Sequence, residues 1–276
     1  MDVYEAVTHY FERYRGEKRI IGKSSEGRNL YALFTGRQGS VTGISQYAIH
    51  AREWITALLG IEHLRRSVAK GAVWILPLMN PDGALLCDRG IEAVSPDRRE
   101  FLLKLNGKED FSLWKANAEG VDLNLNFPAR WGRGRGNIFT PAPHGFVGSE
   151  PLSAPEARAL ALFTEEIAPD YTVSWHTKGE EIYWKFHQSP ARALRDKRIA
   201  KAISRETGYP LKSTPFSAGG YKDWCVEALK IPAFTVEVGS DDLEHPLGFR
   251  ALPSVLEHNL DALAVLNASF KSESKK

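Results

Sequence analysis

The prediction of the fold starts from the stretch His50-Ala51-Arg52-Glu53-Trp54-Ile55-Thr56, which joins two contrasting segments. The apolar residues 47–49 before it predict a strand, and residues 57–61 after it predict a helix. A histidine and a glutamate three residues apart at such a junction can face one point, and Zn²⁺ accepts imidazole nitrogen and carboxylate oxygen as ligands. The alternative is a helix N-terminus at which Glu53 complements the helix dipole.

Composition limits the classes of protein to which the chain can belong. Its 276 residues, 43% of them apolar, are enough for one large hydrophobic core or two modest ones. The formal net charge of +2 argues against nucleic acid or an anionic membrane as a partner. The two cysteines, Cys87 and Cys225, are expected to be reduced and buried.

The sequence shows no sign of membrane targeting. Residues 1–7 are acidic and lack the apolar segment of a signal peptide. No stretch approaches the roughly 18 apolar residues that a membrane span needs. We therefore expect a soluble, cytoplasmic protein with no membrane partner, unless a leader precedes this sequence.

Predicted strands and helices alternate along the chain, which indicates a mixed, mainly parallel α/β sheet. We expect one domain over residues 1–276, with a core at about 19–267 and a polar tail at 271–276. The middle third is rich in glycine and proline and is predicted to form long loops. The predicted strands are 19–23, 29–34, 45–49, 73–78, 171–175, 181–184 and 233–238, and the predicted helices are 3–14, from about 57 to Ala69, 153–167, 191–207, 220–228 and 254–270.

Three polar residues, His50, His176 and Glu237, lie at or near the carboxyl ends of predicted strands. Ligand sites of open α/β sheets form outside those ends. With Glu53, the two histidines would make a zinc site with an open coordination position. Glu237 would face that opening. The alternative for Glu237 is a salt-bridged core acid, because a buried carboxylate is costly unless it is paired or functional.

Six motifs resemble those of the zinc carboxypeptidases in order and approximate spacing. The resemblance covers about residues 19–267 and implies an eight-stranded, mixed and mainly parallel sheet with helices on both faces. The motifs are residues 50–56, Asn80-Pro81-Asp82-Gly83, Gly120-Val121-Asp122-Leu123-Asn124, Ser174-Trp175-His176, Asp223-Trp224 and Phe234-Thr235-Val236-Glu237. Within the superfamily the chain looks most similar to bacterial γ-D-glutamyl-L-diamino-acid peptidases, through Trp114-Lys115-Ala116-Asn117, Glu180-Glu181-Ile182-Tyr183-Trp184, Gly220-Tyr221-Lys222-Asp223-Trp224 and Glu237-Val238-Gly239.

The resemblance implies a catalytic centre with one zinc ion per chain, bound by His50, Glu53 and His176. It implies that Glu237 is the general base, which takes a proton from a zinc-activated water and returns it to the leaving amine. Asp122 matches the acid that orients the first histidine through its free ring nitrogen. The alternative for Asp122 is an ordinary turn residue.

The resemblance also implies two substrate-binding residues, Arg52 and Asn124, although Arg52 could instead be a plain surface cation. The carboxypeptidase pattern has Asn-Arg where this chain has Asn124-Leu125. Leucine cannot make the bidentate contact by which that arginine holds a terminal carboxylate, so ordinary C-terminal trimming of proteins is not expected. The family's phenolic tyrosine falls on Pro215, next to Phe216, and Tyr221 is a candidate for the missing hydroxyl.

Two lysines are predicted to contact the substrate. Lys222 occupies the family position that sets side-chain preference, and we expect it to bind a carboxylate of diaminopimelate; the alternative is a solvated helix lysine. The oxyanion-stabilising arginine of the family has no clean counterpart. Lys115 is the preferred candidate for that role, ahead of Asn117 and Arg130.

These features predict a zinc metallopeptidase that hydrolyses the γ-D-glutamyl–diaminopimelate bond of murein peptides. One alternative is a metallocarboxypeptidase or amidase that acts on other small peptides. A second is a non-catalytic muropeptide-binding protein, against which the intact ligand set and Glu237 argue.

Overall fold

The computed structural model describes residues 1–37, 39, 41–66, 71–213 and 216–270, which contain one eight-stranded sheet. The strands are β1 (Lys18–Lys23), β2 (Asn29–Gly36), β3 (Thr42–Tyr47), β4 (Ala72–Leu76), β5 (Tyr171–His176), β6 (Glu181–Tyr183), β7 (Leu211–Lys212) and β8 (Ala233–Glu237). Their order across the sheet is β1-β2-β4-β3-β5-β8-β6-β7. The four central strands β4, β3, β5 and β8 run parallel, whereas β1, β2 and β6 pair antiparallel with their inner neighbours. The predicted mixed, mainly parallel sheet is confirmed.

Helices cover both faces of the sheet. They are α1 (Val3–Arg13), α2 (Ile55–Arg66), α3 (Pro81–Arg89), α4 (Pro96–Asn106), α5 (Pro155–Ile167), α6 (Pro190–Thr207), α7 (Tyr221–Trp224, continued by a wider turn over Cys225–Leu229), α8 (Leu252–Asn259) and α9 (Ala262–Ser269). One core packs α1, α2, α6, α8 and α9 against the sheet, and a second packs α5 and α7 against its other face. The central strand β4 is buried along its whole length, as expected for a strand covered on both sides. No helix within the described residues is long and apolar enough to cross a membrane.

The structure differs from the sequence prediction in the region between β4 and β5. Residues 80–83, whose Asn-Pro-Asp-Gly sequence is typical of a turn, instead begin α3. The Asn80 side chain accepts a hydrogen bond from the Gly83 N–H (3.0 Å), and Pro81 is the first helical residue. Helix α4 occupies part of the predicted loop region. Its first helical residue is also a proline, Pro96, and its weakly amphipathic sequence gives little periodic signal.

Two further predicted elements have different bounds. The strand predicted over 45–49 ends at Tyr47, because Ala48 adopts a positive φ of 48° that breaks the extended backbone. The helix predicted over 254–270 is divided into α8 and α9. The predicted helix end near Ala69, the departure at Pro215 and the polar tail at 271–276 lie outside the described residues.

Candidate metal centre

Three buried side chains meet at the carboxyl edge of the central strands. His50 follows β3, Glu53 ends the short 3₁₀ turn Ala51–Glu53, and His176 is the last residue of β5. Their side chains are 7%, 3% and 2% exposed, respectively. Because β3 and β5 are adjacent and parallel, their ends deliver the two imidazoles to one place, and the turn brings Glu53 back toward them. One ligand atom from each of the three residues lies within 4.8 Å of the others.

The arrangement of these atoms fits a cation. The two imidazole Nδ1 atoms face each other at 3.1 Å, and each lies 2.9 Å from a different Glu53 carboxylate oxygen. Burial alone would raise the pKa of Glu53, but the two histidines lower it well below its usual value. Imidazole nitrogen and carboxylate oxygen converging on one point are the ligand types of a zinc site. The donor set therefore fits the ion that the sequence predicts.

Asp122 lies behind the first histidine. Its Oδ1 is 3.2 Å from the His50 Nε2, although the two atoms are not aligned as a hydrogen bond. Its Oδ2 accepts a hydrogen bond from the Gly145 N–H (3.1 Å) and lies 3.1 Å from the Lys115 Nζ. Burial opposes ionisation of Asp122, but Lys115 and His50 hold its pKa well below the usual value. A fixed carboxylate at the second ring nitrogen is the arrangement that orients a metal-binding imidazole.

We expect Asp122→Asn to weaken zinc binding by about 10- to 100-fold, because the amide removes the negative charge that favours one orientation of the His50 ring. Competition with a chromophoric chelator measures this affinity. Asp110→Asn is the matched control, since Asp110 is an exposed carboxylate whose partners are local: the Ser112 N–H donates to it (2.8 Å), and Lys108 pairs with it (3.6 Å). Equal zinc affinity in the Asp122 variant and the wild type would contradict the orienting role.

Glu237 ends β8 directly beside His176. The two residues are cross-strand partners, and the Val238 N–H donates to the His176 carbonyl (2.8 Å). Burial raises the pKa of the Glu237 carboxyl to about 7, and the charge of Glu53 adds to this effect, while His176 and Lys115 oppose it. A carboxyl with a pKa near neutrality can both accept and return a proton at pH 7.

Lys115 is the cation next to this group of acids. The segment that carries it is fixed against the metal-centre turn, since the Ala51 N–H donates to the Lys115 carbonyl (3.1 Å). Burial lowers the pKa of Lys115, but the negative charges of Asp122 and Glu53 outweigh this effect. The pKa is therefore raised overall, and the ammonium stays charged. The two other candidates are engaged elsewhere: Asn117 donates to Glu156 (3.0 Å), and Arg130 pairs with Glu227 (2.9 Å).

The family model described as zinc carboxypeptidase matches residues 14–262. The chain belongs to the zinc carboxypeptidase family. It is therefore a zinc-dependent peptidase, and the predicted cofactor is confirmed.

Relatives and structural neighbours of this peptidase span several activities. It is 32% identical over 239 residues to gamma-D-glutamyl-L-diamino acid endopeptidase 1 of Lysinibacillus sphaericus, covering 80% of this chain but only 60% of that protein. The bovine thrombin-activatable fibrinolysis inhibitor shares its fold with a TM-score of 0.77 at 21% identity, covering 97% and 96% of the two chains. The murein-tripeptide amidase MpaA from Escherichia coli O157 does so with a TM-score of 0.63 at 22% identity, covering 94% of each. The predicted carboxypeptidase-like fold is confirmed.

The position of Tyr221 corrects one prediction for this peptidase. Its side chain is fully buried in the core between the sheet and α7, and its hydroxyl lies 2.7 Å from the Thr164 hydroxyl. A buried and partnered phenol cannot reach a substrate, so Tyr221 does not supply the missing hydroxyl. Phe216, next to the position of the family tyrosine, is 65% exposed.

Lys222 lies in an environment that neither sequence interpretation anticipated. It is 6% exposed, which rules out a solvated helix lysine. Its Nζ lies 2.5 Å from the Asp223 Oδ1 and 3.4 Å from the Lys185 carbonyl. Asp223 also accepts a hydrogen bond from the Ser217 hydroxyl (2.6 Å). Part of the Lys222 charge is therefore neutralised within the protein.

The remaining predicted substrate-binding residues, Asn124 and Arg52, differ in whether their side-chain polar atoms have hydrogen-bond partners. The Asn124 side-chain oxygen accepts a hydrogen bond from the Tyr221 N–H (3.1 Å), which fixes the amide at the start of α7. Within the described residues, the buried Arg52 Nε has no hydrogen-bond partner. His245, for which none of the motifs predicts a role, has its Nδ1 3.5 Å from the hydroxyl of Thr177, the residue after His176. Only its position eight residues after Glu237 could have drawn attention to it.

Proposed function

We propose that this zinc metallopeptidase hydrolyses the γ-D-glutamyl–diaminopimelate bond of murein peptides. Hydrolysis is supported above all by the placement of Glu237 beside the cluster of His50, Glu53 and His176. The choice of bond is supported by the similarity to the Lysinibacillus sphaericus endopeptidase, whose name specifies a γ-D-glutamyl–L-diamino acid linkage. Since the chain spans 60% of that relative, the substrate of the whole protein is part of the proposal. We also propose that it acts as one domain, in the cytoplasm, on recycled murein fragments.

Each residue of the centre has a role in this proposal. His50, Glu53 and His176 hold one zinc ion, which when bound lowers the pKa of a water molecule and polarises the scissile carbonyl. Glu237 accepts the proton of the attacking water and transfers it to the leaving amine. Lys115, which is 24% exposed, supplies the positive charge that stabilises the negative charge developing on the carbonyl oxygen. Asp122 holds His50 and Lys115 in place through its two oxygens.

Specificity on the leaving side depends on Leu125 and Lys222 in this proposal. Leu125 removes the bidentate clamp for a C-terminal carboxylate that the family pattern contains. Lys222 retains a buried ammonium, and diaminopimelate carries a second carboxylate at the end of its side chain. The Asp223 carboxylate lowers the cost of burying this ammonium when no substrate is present.

We expect Lys222→Ala to reduce kcat/KM for L-Ala-γ-D-Glu-diaminopimelate by about 10- to 100-fold, the effect of losing a charge-assisted hydrogen bond. Hydrolysis of the matching L-lysine peptide, which lacks the second carboxylate, is expected to change little. Lys201→Ala, on the exposed face of α6, is the control. A parallel loss on both peptides would show that Lys222 supports the fold and does not select the side chain.

The deciding experiment for the proposed function is mass spectrometry of the products from L-Ala-γ-D-Glu-diaminopimelate, with and without a chelator. Release of free diaminopimelate that the chelator abolishes is expected. Cleavage of α-linked peptides instead would favour a metallocarboxypeptidase of other specificity. Muropeptide binding with no turnover and no zinc by metal analysis would establish a binding protein.

A further inference from the structure

The loop after β8, residues 240–248, is folded onto the rim of the metal centre. Lys178 pairs with Asp241 across it (2.9 Å), and the Gly179 N–H donates to the Gly239 carbonyl (2.9 Å). At its far end Leu247 is 2% exposed and anchors the loop in the core. His245 lies between these attachments, with its Nδ1 3.5 Å from the Thr177 hydroxyl. The fold therefore holds this imidazole beside the end of β5, next to His176.

Arg52 lies on the turn Ala51–Glu53 of the same metal centre. Its N–H donates to the Trp114 carbonyl (3.0 Å), so the backbone is fixed, while its buried Nε lacks a partner within the described residues. A buried donor without an acceptor is destabilising, so this nitrogen favours a ligand that can accept its hydrogen bond. The planar guanidinium fork matches a carboxylate better than any neutral acceptor.

Both side chains lie beside the metal centre, because Arg52 stands between His50 and Glu53 in the chain and His245 contacts the residue that follows His176. Burial lowers the pKa of His245, and the positive charge of Arg52 lowers it further. The ring is thus favoured in its neutral form, which still offers one N–H donor. Lys178 also opposes protonation of this ring, whereas Glu53 favours it. An arginine, a lysine and a histidine thus share one rim, and the carboxylate of Asp241 pairs with the lysine.

We propose that Arg52 and His245 bind a carboxylate of the substrate on the acyl side of the scissile bond, namely the free α-carboxylate of the γ-linked D-glutamyl residue. This inference rests on the proposed function. In a γ-glutamyl peptide three carbon atoms separate that carboxylate from the scissile carbonyl, which places it about 5 Å away. An α-linked peptide whose acyl residue has an uncharged side chain has no carboxylate at this position. The site would therefore favour a γ-linked glutamyl residue over such α-linked residues, independently of Lys222 on α7.

Calorimetric titration of the zinc-loaded protein with two product dipeptides tests this site. L-Ala-D-Glu carries the free α-carboxylate, and L-Ala-D-isoglutamine carries an amide in its place. We expect the wild type to bind the acid about 10- to 100-fold more tightly, as for a charge-assisted hydrogen bond. His245→Ala and Arg52→Gln should each remove most of this preference. His9→Ala, an exposed histidine on α1, should leave it unchanged.

Zinc content and thermal unfolding of each variant show whether the centre is intact. If the wild type binds acid and amide equally, or binds neither, the proposal is wrong. It is also wrong if both folded variants keep the wild-type preference. Hydrolysis of L-Ala-γ-D-Glu-diaminopimelate, measured in parallel, separates this result from the proposed function. Cleavage without a preference for the acid would support the proposed function and contradict the carboxylate site. A preference for the acid without cleavage would support the site and contradict the proposed function.

Discussion

Glu237→Gln is expected to lower kcat/KM by about 10²- to 10⁴-fold while the protein keeps one zinc ion per chain. Glutamine has nearly the same shape as glutamate but cannot accept a proton from the attacking water. The metal cluster does not use the Glu237 carboxylate, because the convergent atoms come from His50, Glu53 and His176. Steady-state kinetics measure kcat/KM, and metal analysis by mass spectrometry measures the zinc content.

Glu181→Gln is the matched control for that experiment. Glu181 is the cross-strand partner of Glu237 on β6, and its carboxylate accepts a hydrogen bond from the Tyr183 hydroxyl. The substitution removes the same charge one strand away, so a general electrostatic effect would appear in both variants. We expect the control to stay within about tenfold of the wild type. Activity of Glu237→Gln in that same range would exclude Glu237 as the general base.

The pH dependence of kcat/KM should show an acidic limb that belongs to Glu237. Burial raises its carboxyl pKa to about 7 in the metal-free protein, and the base acts only when ionised. Activity should therefore fall as the pH drops through this pKa. The positive charge of bound zinc favours the ionised form, so the limb should lie below pH 7 in the zinc enzyme. An activity that rises on acidification would contradict this assignment.

His176→Ala is expected to release the metal and with it the activity. The loss of one of three ligands should weaken zinc binding by more than the roughly 100-fold that a residue behind a ligand contributes. The remaining pair, His50 and Glu53, lies on one short segment and cannot enclose a cation alone. Equilibrium dialysis against buffered zinc measures the affinity.

A control for this experiment must separate metal loss from unfolding. His258→Ala removes an exposed histidine whose Nδ1 contacts only the Ser254 carbonyl on α8 (2.9 Å), so zinc and activity should be retained. Zinc should also raise the melting temperature of the wild type but not of His176→Ala, because a ligand that binds only the native state stabilises it. If His176→Ala still binds one zinc ion with wild-type affinity, His176 is not a zinc ligand.

The metal cluster could be predicted from sequence because its geometry follows from strand ends. Parallel neighbouring strands end at one edge, so His50 and His176 had to meet once β3 and β5 were adjacent. The same reasoning put Glu237 beside them. The adjacency of β3 and β5 is known only from the fold, since strand order is not written in the periodicity of a single sequence.

Side-chain partners could not be predicted in the same way. Tyr221 and Lys222 are neighbours in a short helix, yet one phenol is buried against Thr164 and one ammonium is neutralised by Asp223. Those outcomes depend on which elements pack above α7, and the local pattern does not contain this information. Helix α4 was missed for a related reason, because it buries few residues and its apolar spacing is weak.

The backbone pairing of His176 with Glu237 has a consequence for redesign of this protein. The proposed base and a proposed metal ligand are joined by the sheet itself, so they keep their spacing whatever the surrounding loops do. The residues proposed to select the substrate lie on other segments: Arg52 on the turn Ala51–Glu53, Lys222 in the buried segment 221–224, and His245 on the largely exposed loop 240–248. A library that varies the loop 240–248 and keeps the strand ends constant is therefore a practical route to new peptide specificities.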